Sequence, residues 1–195
     1  MSSTSPPIAR LIAFIDGGYL RENFKKKFGS DAINYSSLQD RLIQVFNSTC
    51  RGLYTGDLVR TYYYDGMVTV DHPDYQKLDE YHQEIRRLGI EVVTTRLKPS
   101  GKAESNSDVK KAGNLKQKGT DVKLAVDMVT KAYLDHYDFA ILLTGDDDFL
   151  DVVKAVKDTG KRVLGIFFDD NVSGDLIDSY DVAYSINNFV NDIKE

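Results

Sequence analysis

Cysteine is almost missing from this 195-residue chain. Cys50 stands alone, so no internal disulfide and no cysteine zinc cluster can form. Histidine is scarce as well: His72, His82 and His136 are scattered, without the spacing of a metal site. No apolar run approaches the ~20 residues that cross a bilayer. Residues Met1 to Arg10 are rich in Ser and Pro and lack the apolar run of a signal peptide, so residues 1–8 are expected to form a disordered lead. Together these scarcities suggest a reducing, cytoplasmic compartment and no membrane partner. What remains is ordinary for a globular protein: 42% hydrophobic and 28% charged residues, in a length sufficient for one domain with a full core. No internal repeat or domain boundary is visible, and residues 9–195 read as a single domain.

The net charge of −5 is unevenly spread. Between Lys98 and Lys118, six lysines (98, 102, 110, 111, 116, 118) face only Glu104 and Asp108. That leaves a local charge of +4 and −9 for the rest of the chain. A basic loop at 98–118 on an acidic body suits a cationic track feeding an acidic centre, and it suits a solvated loop equally. Its length without hydrophobic periodicity marks it as functional or disordered.

Two short, wholly apolar runs, Leu11–Ile15 and Phe139–Leu143, have the pattern of strands buried on both faces. Further strands are expected at Leu58–Tyr64, Ile90–Thr95, Arg162–Phe168 and, weakly, Val182–Ile186. Helices are expected from Asp16-Gly17-Gly18 to about Phe28, over Ser36–Thr49 with an N-cap at Ser36-Ser37, and over Asp74–Leu88, stopped by Gly89. Others are expected over Thr120–Tyr133, with Val122, Val126, Val129 and Tyr133 forming its apolar face, and over Phe149–Asp158, stopped by Gly160. A short helix and a terminal helix should complete the chain. Strands alternating with helices at this spacing imply βαβ units, hence an α/β three-layer Rossmann-like fold with a mainly parallel central sheet.

In such sheets ligands sit beyond the carboxyl ends of the strands, at the switch in strand order. Both apolar runs end there in aspartates: Asp16 after the first, Asp146 and Asp148 after the second. Asp121 opens the helix that follows the basic loop. Carboxylates brought together repel unless something positive joins them, and a hard divalent cation such as Mg²⁺ is the usual partner. Each acid also has a plainer reading. Asp16 suits a turn or cap, Asp121 an acid favoured by the helix dipole, and Asp147 the surface. Asp127 lies between Lys123 and Lys131 at i±4, as an exposed ion pair would. Lys118 and Arg21 are candidates to meet a substrate backbone. Tyr62-Tyr63-Tyr64 suits core packing better than base stacking, and Gly17-Gly18 is no dinucleotide-binding GxGxxG.

The segments Phe14-Ile15-Asp16-Gly17-Gly18-Tyr19-Leu20, Lys118-Gly119-Thr120-Asp121-Val122-Lys123-Leu124-Ala125-Val126-Asp127 and Leu143-Thr144-Gly145-Asp146-Asp147-Asp148-Phe149 resemble, in order, the motifs of the NYN family. These are the LabA-like (DUF88) proteins of the PIN-domain-like nuclease superfamily. The resemblance spans roughly Ala9 to Val190. It implies a PIN-like fold and a Mg²⁺- or Mn²⁺-dependent ribonuclease. Asp16, Asp121 and Asp146 would be the main acidic ligands, Asp148 would support them, and Asp127 matches a further family acid. Many family members have Asn where this chain has Tyr19, so an amide that orients substrate or water is absent here. Thr144 and Asp147 replace two serines. The resemblance thus implies hydrolysis of phosphodiester bonds in RNA, single-stranded more readily than duplex, and a homo-oligomer is compatible with it. The alternatives are a non-catalytic RNA-binding or regulatory module of the same fold, and a phosphatase or nucleotide hydrolase. The last would want Asp-x-Asp after the first strand, where Gly17-Gly18 follows Asp16.

Overall fold

Nine consecutive residues, Ile8–Asp16, form β1, and from Leu11 onward every one of them is buried. The computed structural model describes residues 5–99, 115–116 and 119–195. Residues 1–4 of the expected lead and 100–114 and 117–118 of the expected basic loop, Lys118 included, lie outside the described residues.

After β1 come α1 (Gly17–Phe28), α2 (Tyr35–Thr49), β2 (Thr55–Met67), α3 (Tyr75–Arg87) and β3 (Glu91–Arg96). A two-residue antiparallel ladder pairs β4 (Lys98–Pro99) with β5 (Leu115–Lys116). The chain continues through α4 (Thr120–Tyr133), β6 (Phe139–Leu143), a 3₁₀ turn at Asp147–Phe149, α5 (Leu150–Asp158), β7 (Arg162–Phe167), α6 (Gly174–Ser179) and β8 (Val182–Ser185). The main sheet has six strands in the order β3-β2-β1-β6-β7-β8, and all its pairings are parallel. The order reverses between β1 and β6, so the ends of these two strands border the switch point.

Alternation along the central strands sorts the core into two layers. In β1, Leu11, Ala13 and Ile15 join Leu20 and Phe24 of α1 and Leu38, Leu42 and Phe46 of α2 on one face. Ile12 and Phe14 join Leu124 and Met128 of α4 and Val153 and Val156 of α5 on the other. The expected three-layer α/β architecture is therefore the observed one.

Four local expectations are corrected. Asn34, not Ser36-Ser37, caps α2, its side chain accepting from the Ser37 amide at 2.9 Å. β2 runs through Asp65-Gly66 instead of ending before them, because β3 keeps pairing with both residues. The expected apolar face of α4 is the wrong one. Val122, Val126 and Tyr133 are 66%, 54% and 73% exposed, while Leu124, Met128 and Ala132 carry the burial. Finally, the terminal helix is replaced by 3₁₀ turns at Ile186–Asn188 and Val190–Ile193, whose Val190 and Ile193 plug the first core layer.

Candidate active site

Asp16 ends β1 and begins α1, and its carboxylate serves both elements. Oδ1 accepts the Tyr19 amide at 3.0 Å as the N-cap, and Oδ2 accepts the Thr144 hydroxyl at 3.1 Å. The turn is tight because Gly17 has no side chain: a Cβ there would lie 2.4 Å from the Tyr63 ring. Burial, with the Asp16 residue only 7% exposed, is the main cause that pushes its carboxyl up to about 6. The Tyr19 amide bond opposes the rise, the charge of Asp121 adds to it, the Thr144 bond opposes it, and Asp146 adds the last contribution.

Asp121, in the first turn of α4, is half-buried. Its carboxyl is also held above its ordinary value, by burial first and then by the charges of Asp146 and Asp148. Asp146 caps the 3₁₀ turn after β6, its Oδ1 accepting the Asp148 amide at 3.0 Å, and both residues are exposed. The fold thus draws Asp16, Asp121, Asp146 and Asp148 into one electrostatic neighbourhood at the carboxyl edge of the sheet. The cap role foreseen for Asp16 is the observed one.

Sequence reasoning undervalued Thr144. Fully buried, its Oγ1 donates to Asp16 and accepts the Asp146 amide at 3.3 Å, linking the two strand-end acids. Its place directly between an apolar run and Gly145-Asp146 was the available signal. Tyr19 is a structural tie. Its hydroxyl donates to the Asn171 carbonyl and accepts the Phe168 amide, both at 2.9 Å, fastening the loop after β7 to α1. Burial pushes this phenol up to about 12. Gly145 leaves room for that tie, since a Cβ would come 1.9 Å from the Asn171 carbonyl oxygen and 2.6 Å from the Tyr19 hydroxyl.

The other candidates sit elsewhere. Asp127 accepts from Lys123 at 2.7 Å and from the Tyr64 hydroxyl at 3.2 Å, so it is an ion pair, though half-buried rather than exposed. Asp147 is exposed and accepts the Ser173 hydroxyl. Tyr63 and Tyr64 are buried, and Tyr62 stacks on Phe14. Arg21 donates to Asp65 at 2.6 Å, and the other carboxylate oxygen of Asp65 meets His82 Nε2 at 2.9 Å. This buried Arg21–Asp65–His82 chain was not foreseen.

Whether the four acids suit a divalent cation can be tested on charge and on geometry. None of them has a Lys or Arg partner among the described residues. Two are held above their ordinary range by burial and by one another. Uncompensated hard oxygen donors of this kind fit Mg²⁺ or Mn²⁺. Among the described residues, however, no three His, Cys, Asp or Glu side chains come close enough together to hold one ion.

Comparison with known proteins follows the same lines. The family model described as NYN domain matches residues 10–187. A crystal structure of a protein of unknown function from Vibrio parahaemolyticus superposes with a TM-score of 0.59 at 20% identity, over 95% of this chain and 96% of that one. At that identity the likeness speaks for the fold alone. No curated protein matches the sequence.

Proposed function

The chain belongs to the NYN domain family of the PIN-like nuclease superfamily, and on that premise we propose that it is a divalent-metal-dependent ribonuclease. The observation that carries the reading is the mutual charge of Asp16, Asp121, Asp146 and Asp148 at the carboxyl edge of the sheet, two of them with their charge resisted by burial and by neighbouring acids. Mg²⁺ or Mn²⁺, when bound, supplies Lewis acidity at a phosphoryl oxygen and acidifies water for in-line attack. The protein's own part is to hold and orient. The buried Asp16 and the half-buried Asp121 form the wall of the site, and Asp146 and Asp148 the exposed lip. Thr144 Oγ1 fixes the rotation of the Asp16 carboxylate by donating to Oδ2. Single-stranded RNA is the proposed substrate, because an exposed lip reaches an unpaired backbone more readily than the backbone of a stiff duplex. Lys118 and Arg21 stay the proposed substrate contacts outside the acids.

One observation favours a second reading, a non-catalytic RNA-binding module of the same fold: the described carboxylates do not form a ready three-ligand group. Cleavage of a labelled single-stranded RNA with Mn²⁺, Mg²⁺ or EDTA, comparing wild type with Asp146→Asn, separates the two. The nuclease reading expects metal-dependent cleavage that falls on the order of 100-fold or more in the variant, the equivalent of several kcal/mol of lost charge stabilisation. Equal inertness of both proteins, with RNA still bound, would replace it by the module.

A further inference from the structure

A cavity of about 680 Å³ opens on the first-layer side of the sheet, between α1, the start of α2, the end of β2 and α3. None of the four carboxylates lines it. Its size is that of a pocket for a small ligand. Two features join it to the site. Arg21, on its wall, lies five residues after Asp16 in the same helix, roughly 7.5 Å further along the axis at 1.5 Å per residue. The hydroxyls of Tyr35 and Tyr81, also on its wall, meet that of Tyr63 at 3.3 and 3.1 Å. Tyr63 in turn donates at 3.4 Å to the carbonyl of Gly17, the residue after Asp16. The cavity and the acids therefore share one sheet edge and one hydrogen-bonded turn.

Its lining selects the chemistry of the occupant. Val68, Leu78 and Ile85 provide apolar walls. Arg21 lies over the Tyr81 ring at 5.4 Å, offering a flat cationic and aromatic surface of the kind on which bases stack. Among the described residues, its Nη2 is engaged by Asp65. Beyond the paired Arg21 and Asp65, the lining holds Asp31, Asp74, Glu84 and Glu195 against Lys77 alone. An acidic lining keeps phosphate outside the cavity and accepts hydrogen bonds from the exocyclic amino groups of a base that enters alone. A flat, neutral group with an apolar face and amino donors satisfies all of these conditions.

We propose that this cavity is a base subsite. It takes a nucleobase of a bound single strand, preferring the amino-bearing bases adenine, guanine and cytosine over uracil. The choice of ligand rests on the nuclease reading, but binding at the cavity can be measured without cleavage. The probes are adenosine, cytidine and uridine, which carry no phosphate. They are added to the full chain in EDTA while backbone amide spectra are recorded. Saturable low-millimolar shifts are expected at Arg21, Gly66 and Tyr81, with Asp146 and Asp148 unmoved and uridine at least threefold weaker. Leu78→Trp, which fills the cavity, should weaken binding at least tenfold. If that variant does not fold, Leu88→Trp at the half-exposed rim serves the same purpose. Absence of saturable shifts at these amides, or binding undiminished in a folded Trp variant, overturns the subsite, even if the wild type cuts RNA. Shifts at these amides in a protein that cuts no RNA keep the subsite and sink the nuclease reading instead.

Discussion

Asp16 combines two structural hydrogen bonds with a charge that the fold resists. Its carboxyl is raised from 3.8 to about 6, chiefly by burial, so the native protein takes up this proton more readily than the unfolded chain does. The contribution to stability is fully present below about pH 4 and is lost as the pH rises through about 6. A rise from 3.8 to about 6 corresponds to about 3 kcal/mol. Other acids pull the opposite way: Asp138, hydrogen-bonded by Arg10, is held below its ordinary value. The useful quantity is therefore a difference. In EDTA, the stability of wild type relative to Asp16→Asn, measured by urea unfolding, should fall by up to about 3 kcal/mol between pH 4 and pH 7. Asn keeps the cap, so a difference that stays flat across this window would show that Asp16 carries no buried charge.

At the scale of elements, α4 illustrates how rotation about a helix axis decides a site. Val122, Val126 and Tyr133 would make one acceptable apolar stripe; Leu124, Met128 and Ala132 make another, and only the second is buried. The buried stripe packs with Phe14 of β1, Tyr64 of β2 and Phe149 after β6. At 100° per residue, Asp121 and Asp127 lie about 60° to either side of Leu124. Turning Leu124 inward thus leaves both acids half-buried on opposite flanks, Asp121 by the strand-end acids and Asp127 by Tyr64 and Lys123. Met128→Ala should then destabilise by about 2–5 kcal/mol, while Val126→Thr should stay within about 0.5 kcal/mol. Urea denaturation of the two variants checks this, and the opposite ranking would mean the helix is turned the other way.

For the whole molecule, adjacency of β1 and β6 at the switch point brings acids more than a hundred residues apart in sequence to a common edge. A ligand that relieves their mutual repulsion stabilises the entire fold by mass action, by about 2.7 kcal/mol at a hundred times its dissociation constant. For a domain of this length that is roughly 5–10 °C in Tm. Mn²⁺ added at pH 7 should raise the melting temperature of the wild type by that amount in a calorimetric scan. Asp16→Asn and Asp146→Asn should lose most of the rise, and Asp127→Asn, already in an ion pair, should keep it. An undiminished rise in both site variants would move the cation away from these acids. Among the described residues no helix is long and apolar enough to cross a membrane.

Local pattern carried a large part of this protein. The two apolar runs could only be strands covered on both faces, which already implied a parallel α/β sheet, and their terminal aspartates marked the edge where a ligand would sit. The periodicity of α2 likewise lies within its own segment and was legible there. Tertiary structure alone decided the rest. Which of two apolar stripes α4 buries depends on its neighbours, and Asn34 displaced Ser36-Ser37 as a cap because caps compete within one turn. Thr144 reaches Asp16 across 128 positions, Tyr19 reaches Phe168 across 149, and Arg21 reaches Asp65 across 44. Burial periodicity is a property of neighbouring residues and can be read along the chain. Hydrogen bonds and charge pairs between distant residues exist only once strand order has brought their carriers together.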